Sequence, residues 1–140
     1  MNKFTYHKDG SLPEEGYIFV FGSNLAGIHG AGAARVAEEK FFAERGTGFG
    51  FTGNSYAIPT KDYLIETMPL GQIVPFIRQF VHLTQNQRDK KFFVTRIGCG
   101  LAGYTDADIA PLFRGCSPLN TSMPFPWGEY LEPTDNPSLY

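Results

Sequence analysis

Cysteine is scarce in this chain. Only Cys99 and Cys116 occur among 140 residues, which fits a reduced protein better than a disulfide scaffold and falls short of a metal site. Reduced thiols of this kind point to a cytoplasmic protein; no metal and no cofactor are expected. Long apolar runs are also missing, and the opening "MNKFTYHKDG" has no signal-peptide core, so no membrane span or export is expected. Nor is there an excess of charge of one sign. A formal net charge of −2 gives no broad basic footprint for nucleic acid, although a local basic patch stays open. Sixteen glycines and ten prolines, by contrast, forecast elaborate loops. With 42% hydrophobic and 19% charged residues, the composition is that of a globular protein, and the length suits a single domain spanning 1–140.

Apolar runs and helical periodicity alternate along the chain. Phe4–His7 reads as a short strand, followed by a turn at "KDGSLPEEG". "YIFVF" (17–21) is continuous and rich in β-branched and aromatic residues, the pattern of a strand buried on both faces. A helix is predicted over Ala31–Arg45, stopped by Gly46. "GTGFGFTGNS" (46–55) reads as a glycine-rich loop, and "YAIPT" (56–60) as a strand with Lys61 at its C-terminal end. The spacing of Ile73, Phe76, Ile77, Phe80 and Val81 predicts a helix over Leu70–Gln85, with Pro75 in its first turns or kinking it. "KFFVTRI" (91–97) is another buried strand. A short helix follows, capped by Thr105 or Asp108, with Pro111 near its first turn. "LNTSM" (119–123) reads as a last strand, and 124–140 as an irregular, proline-rich tail.

Strand, glycine loop and helix therefore recur, which predicts an α/β protein with a parallel or mixed sheet covered by helices. Ligands of such sheets bind beyond the carboxyl ends of the strands. Two glycine-rich joints, at 24–32 and 98–103, and Lys61 all fall at those ends. Glycines let backbone N–H groups approach a ligand closely, and a helix opening at the first joint adds free amide donors and the positive end of its dipole. Both features favour a phosphate or diphosphate. The rival reading of either joint is a plain turn for helix–strand packing. The loop lacks Gly-Lys-Ser/Thr, which argues against a P-loop; "GIHGAG" imitates a dinucleotide fingerprint, but no acidic residue stands where a dinucleotide-binding strand would carry one.

The stretches "NLAGIHGAGAARVA" and "VTRIGCGLAGYTDADIAPLF", with "IPTKD" between them, resemble the macrodomain family, which binds ADP-ribose. "RIGCGL" and Thr60-Lys61 are similar to the branch containing terminal ADP-ribose protein glycohydrolases and the antitoxins that strip ADP-ribose from DNA. The resemblance runs over roughly 4–123 and implies a three-layer α/β/α sandwich with a mixed central sheet. It also implies that ADP-ribose, or an ADP-ribosylated nucleic acid or protein, is the partner.

Carried over by residue, Asn24 would face the proximal ribose, with Ser23 and Thr60 beside it. Gly30, Ala31 and Gly32 would hold the diphosphate from one side; Gly98, Cys99, Gly100, Leu101 and Gly103 would close over it from the other. Lys61 would be the reactive amine attacking C1″, its rival reading an exposed loop lysine. His29 would contact phosphate or ribose or be a solvated loop residue, Tyr104 would cover the distal ribose or pack beneath the loop, and Asp9 would hold the adenine amino group or simply turn the chain before Gly10. Ala102 departs from the pattern, standing where the protein-directed branch has Asp. Asp106 and Asp108 are nearby, although helix capping is the competing role for both. Cys99 has no histidine base near it in sequence, which argues against a thiol nucleophile. Phe125 and Trp127 read as tucking the tail onto the core. The resemblance thus implies a Lys61-dependent ADP-ribosyl glycohydrolase or, alternatively, a reader or sponge for ADP-ribose or an NAD-derived nucleotide. Chains this compact look like those of bacteria or their phages, where such a protein would counter ADP-ribose-based defence.

Overall fold

The computed structural model describes residues 3–132. Six strands form one mixed sheet: β1 (Thr5–His7), β2 (Tyr17–Asn24), β3 (Gly50–Thr52), β4 (Ser55–Lys61), β5 (Lys91–Val94) and β6 (Thr121–Pro124). Their order across the sheet is β1-β6-β5-β2-β4-β3, and every neighbouring pair is parallel except β3 with β4. The helices are α1 (Gly32–Lys40), α2 (Leu70–Asn86), α3 (Asp106–Ile109) and α4 (Gly128–Leu131).

β2 is central because its sequence leaves it nowhere else to go. Phe19, Val20 and Phe21 are all buried, and successive side chains point to opposite faces, so both faces must be covered. Phe19 and Phe21 pack with Ala57 and Phe93 against Ala34 and Ala37 of α1. Val20, Ile58, Phe92 and Val94 pack instead with Ile73, Ile77 and Phe80 of α2, and with Phe113 and Trp127. The two apolar clusters thus divide by the alternation of the strands. Small alanines on α1 let that helix lie close to the aromatic face.

Several boundaries differ from the sequence reading. α1 ends at Lys40, not Arg45, because Phe41 turns inward to stack on Phe19 at 4.5 Å while Phe42 takes φ +61. The amide of Ala43 then bonds back to the carbonyl of Ala37 at 3.1 Å, closing the helix before Gly46 is reached. The 46–55 stretch is not all loop. It contains β3, joined to β4 by Gly53-Asn54, with Gly53 in the left-handed region that a two-residue hairpin demands. Pro75 lies inside α2, in its second turn. β5 stops at Val94, where the Thr95 hydroxyl and amide both bond to the Val20 carbonyl and end the ladder.

The proline-rich tail is more ordered than expected as far as residue 132. Pro124 closes β6, Phe125–Trp127 forms a 3₁₀ turn, and α4 follows. Trp127 is fully buried as predicted, but Phe125 is 73% exposed and does not tuck in. The rest of the expected tail, 133–140, lies outside the described residues. No helix among the described residues is long and apolar enough to cross a membrane.

Glycine at 27 is structural. A Cβ there would fall 2.3 Å from the backbone carbon of Gly46, and φ is +71. Gly27→Ala is therefore expected to lower stability by about 2–4 kcal/mol, read as the urea midpoint. Gly10→Ala shares the left-handed φ, at +82, but its Cβ meets nothing. It should cost only about 1 kcal/mol.

Candidate functional site

β2 has β5 on one side and β4 on the other, so the chain leaves it in opposite directions across the sheet. Loops that diverge at such a point open a crevice beyond the carboxyl ends of the strands. A cleft of about 620 Å³ occupies this position, within the size range of small-molecule sites. Its walls come from the turn after β1, the ends of β2 and β4, the N-terminus of α1 and the loop after β5.

Both glycine joints line this one cleft. Gly30, Ala31 and Gly32 form one wall and Gly98, Cys99, Gly100, Leu101 and Ala102 another, with Ser23, Asn24, Thr60, Lys61 and Asp9 between and beside them. Gly32 takes φ +58 and Gly98 φ +77, conformations that keep Cβ-bearing residues out. α1 starts without a side-chain cap at Ala31, leaving its first amides without a side-chain acceptor.

Asn24, Ser23 and Thr60 are buried and shape the backbone around the cleft. The Asn24 carboxamide accepts from the Ile28 amide at 3.0 Å and donates to the Ile28 carbonyl at 2.8 Å, folding the 25–28 turn. Ser23 Oγ donates to the Gly48 carbonyl, and Thr60 Oγ1 donates to the Ser23 carbonyl at 3.4 Å. A register irregularity between Ser23 and Asn24 sets Lys61 opposite Asn24 in the β2–β4 ladder. Lys61 is held through its backbone: its carbonyl accepts from the Leu25 amide at 2.9 Å, and it bridges Thr67. No ion pair reaches its ammonium among the described residues. The return from Lys61 to α2 is tied to the second glycine loop. Thr67 Oγ1 donates to the Ala102 carbonyl at 3.0 Å, and Tyr104 Oη donates to the Met68 carbonyl at 2.5 Å.

Three expected ligand contacts are corrected by this geometry. His29 does not face the cleft: it is buried, edge-on to Phe21, with Nε2 donating to the Thr47 carbonyl at 3.1 Å. Tyr104 spends its hydroxyl on Met68 and, like Gly103, does not line the cleft. Gly103 turns the loop, with φ +88 and its amide bonded to the Gly100 carbonyl. Asp108 caps α3 in a reciprocal capping box with Thr105. Asp106 does something else, described below. Burial, and then the negative charge of Asp106, push the Cys99 thiol up to about 12, so it is no thiolate at neutral pH.

Two residues that sequence reading passed over also line the cleft. Arg96 sits just beyond β5; it opens the "RIGCGL" stretch but reads there only as part of the strand. His7, at the end of β1, stacks on Phe93 with centroids 3.6 Å apart. Its Nε2 lies 2.8 Å from the Val94 carbonyl and its Nδ1 2.7 Å from Ser122 Oγ. Those partners fit the neutral ring, protonated at Nε2 (a tautomer assigned from the bonding). Burial is the chief cause lowering His7 from 6.5 to about 4. A depressed histidine stabilises the fold above its unfolded value and loses that contribution as pH falls from 6.5 to 4. The full shift would be worth about 3.4 kcal/mol; the ring is partly open to solvent, which screens it, so stability is expected to drop by about 2 kcal/mol across that window. His7→Gln should flatten that part of the curve, measured by urea unfolding at several pH values.

No family model, curated protein or solved structure matches this chain.

Proposed function

We propose that this protein binds ADP-ribose, or a related nucleotide diphosphate, in the cleft, and that Lys61 acts on the ribosyl linkage of an ADP-ribosylated nucleic acid or protein. One observation carries the reading: two loops poor in Cβ atoms and a lysine, far apart in sequence, line the same cleft at the strand carboxyl ends. Backbone amides and the opening of α1 suit a diphosphate between the loops. Lys61 then lies toward the ribose. Its amine would attack C1″ as the bond to the acceptor breaks, the acceptor leaving with the electron pair and a proton; water would release the ribose in a second step. On this reading the sheet and its two apolar faces form a macrodomain-like three-layer α/β/α sandwich.

One feature favours the binding-only alternative, a reader or sponge. Asp9 is the sole carboxylate lining the cleft among the described residues, and Arg96 already holds it at 3.2 Å. No second carboxylate there stands ready as a general base.

Calorimetry with ADP-ribose tests both readings. Binding should raise Tm, since ligand at about 100 times Kd adds about 2.7 kcal/mol. No heat and no Tm shift at about 1 mM ligand would remove both. Release of ADP-ribose from a panel of modified DNA and protein supports the hydrolase; binding without release from any of them supports the reader.

A further inference from the structure

The strand order fixes which end of a ligand meets which residue. The glycine loops follow β2 and β5, Lys61 ends β4 on one side of them, and β6 and β1 lie on the other. A nucleotide with its diphosphate between the loops and its terminal ribose at Lys61 must extend its base over β5, β6 and β1. Polar groups there are Arg96, Asp9, His7, Ser11 and Thr95; the His7 ring is bonded to Val94 and Ser122 and the Thr95 hydroxyl to Val20, which leaves Arg96 and Asp9 as the charged pair facing a base.

These two belong to a chain of contacts running into the core. Arg96 Nε and Nη2 donate to Asp106 Oδ1 and Oδ2 at 2.9 and 2.8 Å, a bidentate fork. Arg96 Nη1 donates to Asp9 Oδ2 at 3.2 Å. Asp106 Oδ1 also accepts the indole N–H of Trp127 at 2.8 Å, and Trp127 is wholly buried. Burial alone would raise Asp106, but the bonds from Arg96 and Trp127 outweigh it and hold the carboxyl below its usual range. Asp9 itself stands in an open turn with a half-exposed side chain. Without Arg96 its carboxylate would sample several rotamers. With Arg96 it has one anchored oxygen and one, Oδ1, that takes no hydrogen bond among the described residues.

We propose that Arg96 is the positioning residue of the cleft: braced by Asp106 and Trp127, it fixes Asp9 as an oriented acceptor that selects a base bearing an exocyclic amino group. The inference rests on the nucleotide reading above. It predicts that adenine, with an amino group at the exocyclic position, is preferred to hypoxanthine, whose keto oxygen there would face Asp9 as acceptor against acceptor and whose N1–H lies one atom away from the position that Arg96 holds Asp9 to.

Calorimetry with ADP-ribose and its hypoxanthine counterpart tests this on the full chain. The unsubstituted protein should favour ADP-ribose about 10-fold or more, as expected for a hydrogen bond to a charged group. Arg96→Met should bring that ratio to about threefold or less, and adding it to Asp9→Asn should change the ratio no further, because residues acting as one unit are not additive. Trp127→Phe, which keeps the ring packing and removes the indole N–H, should lower the ratio part of the way. Should Arg96→Met fail to fold, Arg96→Lys gives the same reading, since lysine keeps the charge and loses the fork. An unchanged ratio in a folded Arg96 variant overturns the proposal, as does a multiplicative effect with Asp9→Asn. ADP-ribose binding without preference over the hypoxanthine ligand also overturns it and leaves the nucleotide reading standing. No binding of ADP-ribose at all overturns both.

Discussion

Lys61→Ala is expected to slow ADP-ribose release by about 10²–10⁴-fold while leaving ADP-ribose affinity within about threefold. The fold should tolerate the change. What Lys61 gives the structure it gives through its backbone, namely the carbonyl bonded to the Leu25 amide and the bridge to Thr67. Its side chain lines the cleft and makes no ion pair among the described residues. Lys61→Arg should be as inactive as Ala, since a guanidinium keeps its charge and is not a nucleophile. Release assays on the reactive substrate and calorimetry with free ADP-ribose separate the two effects. A variant that releases ADP-ribose at the original rate would take Lys61 out of the chemistry.

Gly30→Glu is expected to weaken ADP-ribose binding by at least about 100-fold, roughly 2.7 kcal/mol, without disturbing the fold. A Cβ at Gly30 meets nothing within 4 Å, and its φ lies outside the left-handed region. Stability should therefore stay within about 0.5 kcal/mol, as for an ordinary surface change. The new carboxylate would project where the diphosphate is proposed to lie and repel it. Unaltered affinity in a folded Gly30→Glu protein would show that this loop does not touch the phosphates. Together with Gly27→Ala, the variant separates a glycine needed for closeness between backbones from one needed for closeness to a ligand.

Much of this architecture is legible in the chain because burial writes itself as pattern. The run "YIFVF" cannot be half-exposed, and β2 has α1 packed over one face and α2 over the other, as the run demands. α2 shows its apolar stripe through Ile73, Ile77 and Phe80. The convergence of the two glycine loops with Lys61 also follows from their shared place at strand carboxyl ends. What escaped the sequence reading depends on contacts between distant residues. Ending α1 at Lys40 requires Phe41 to find Phe19. The burial of His29 requires Thr47 to meet it from the next loop. The link from Arg96 to Asp9 spans 87 positions, which no local periodicity encodes. β3 was the avoidable miss, for Gly53-Asn54 between two strand-forming residues is a hairpin signal within the glycine-rich run.

β1 pairs with β6 alone among the described strands, and His7 reaches Ser122 across 115 positions. During synthesis on the ribosome, the first strand emerges early and must wait for nearly the whole described chain before its neighbour exists. Closing so long a loop is slow in entropic terms. The nascent molecule would thus complete the Asp9 end of its cleft only once β6 is available to β1.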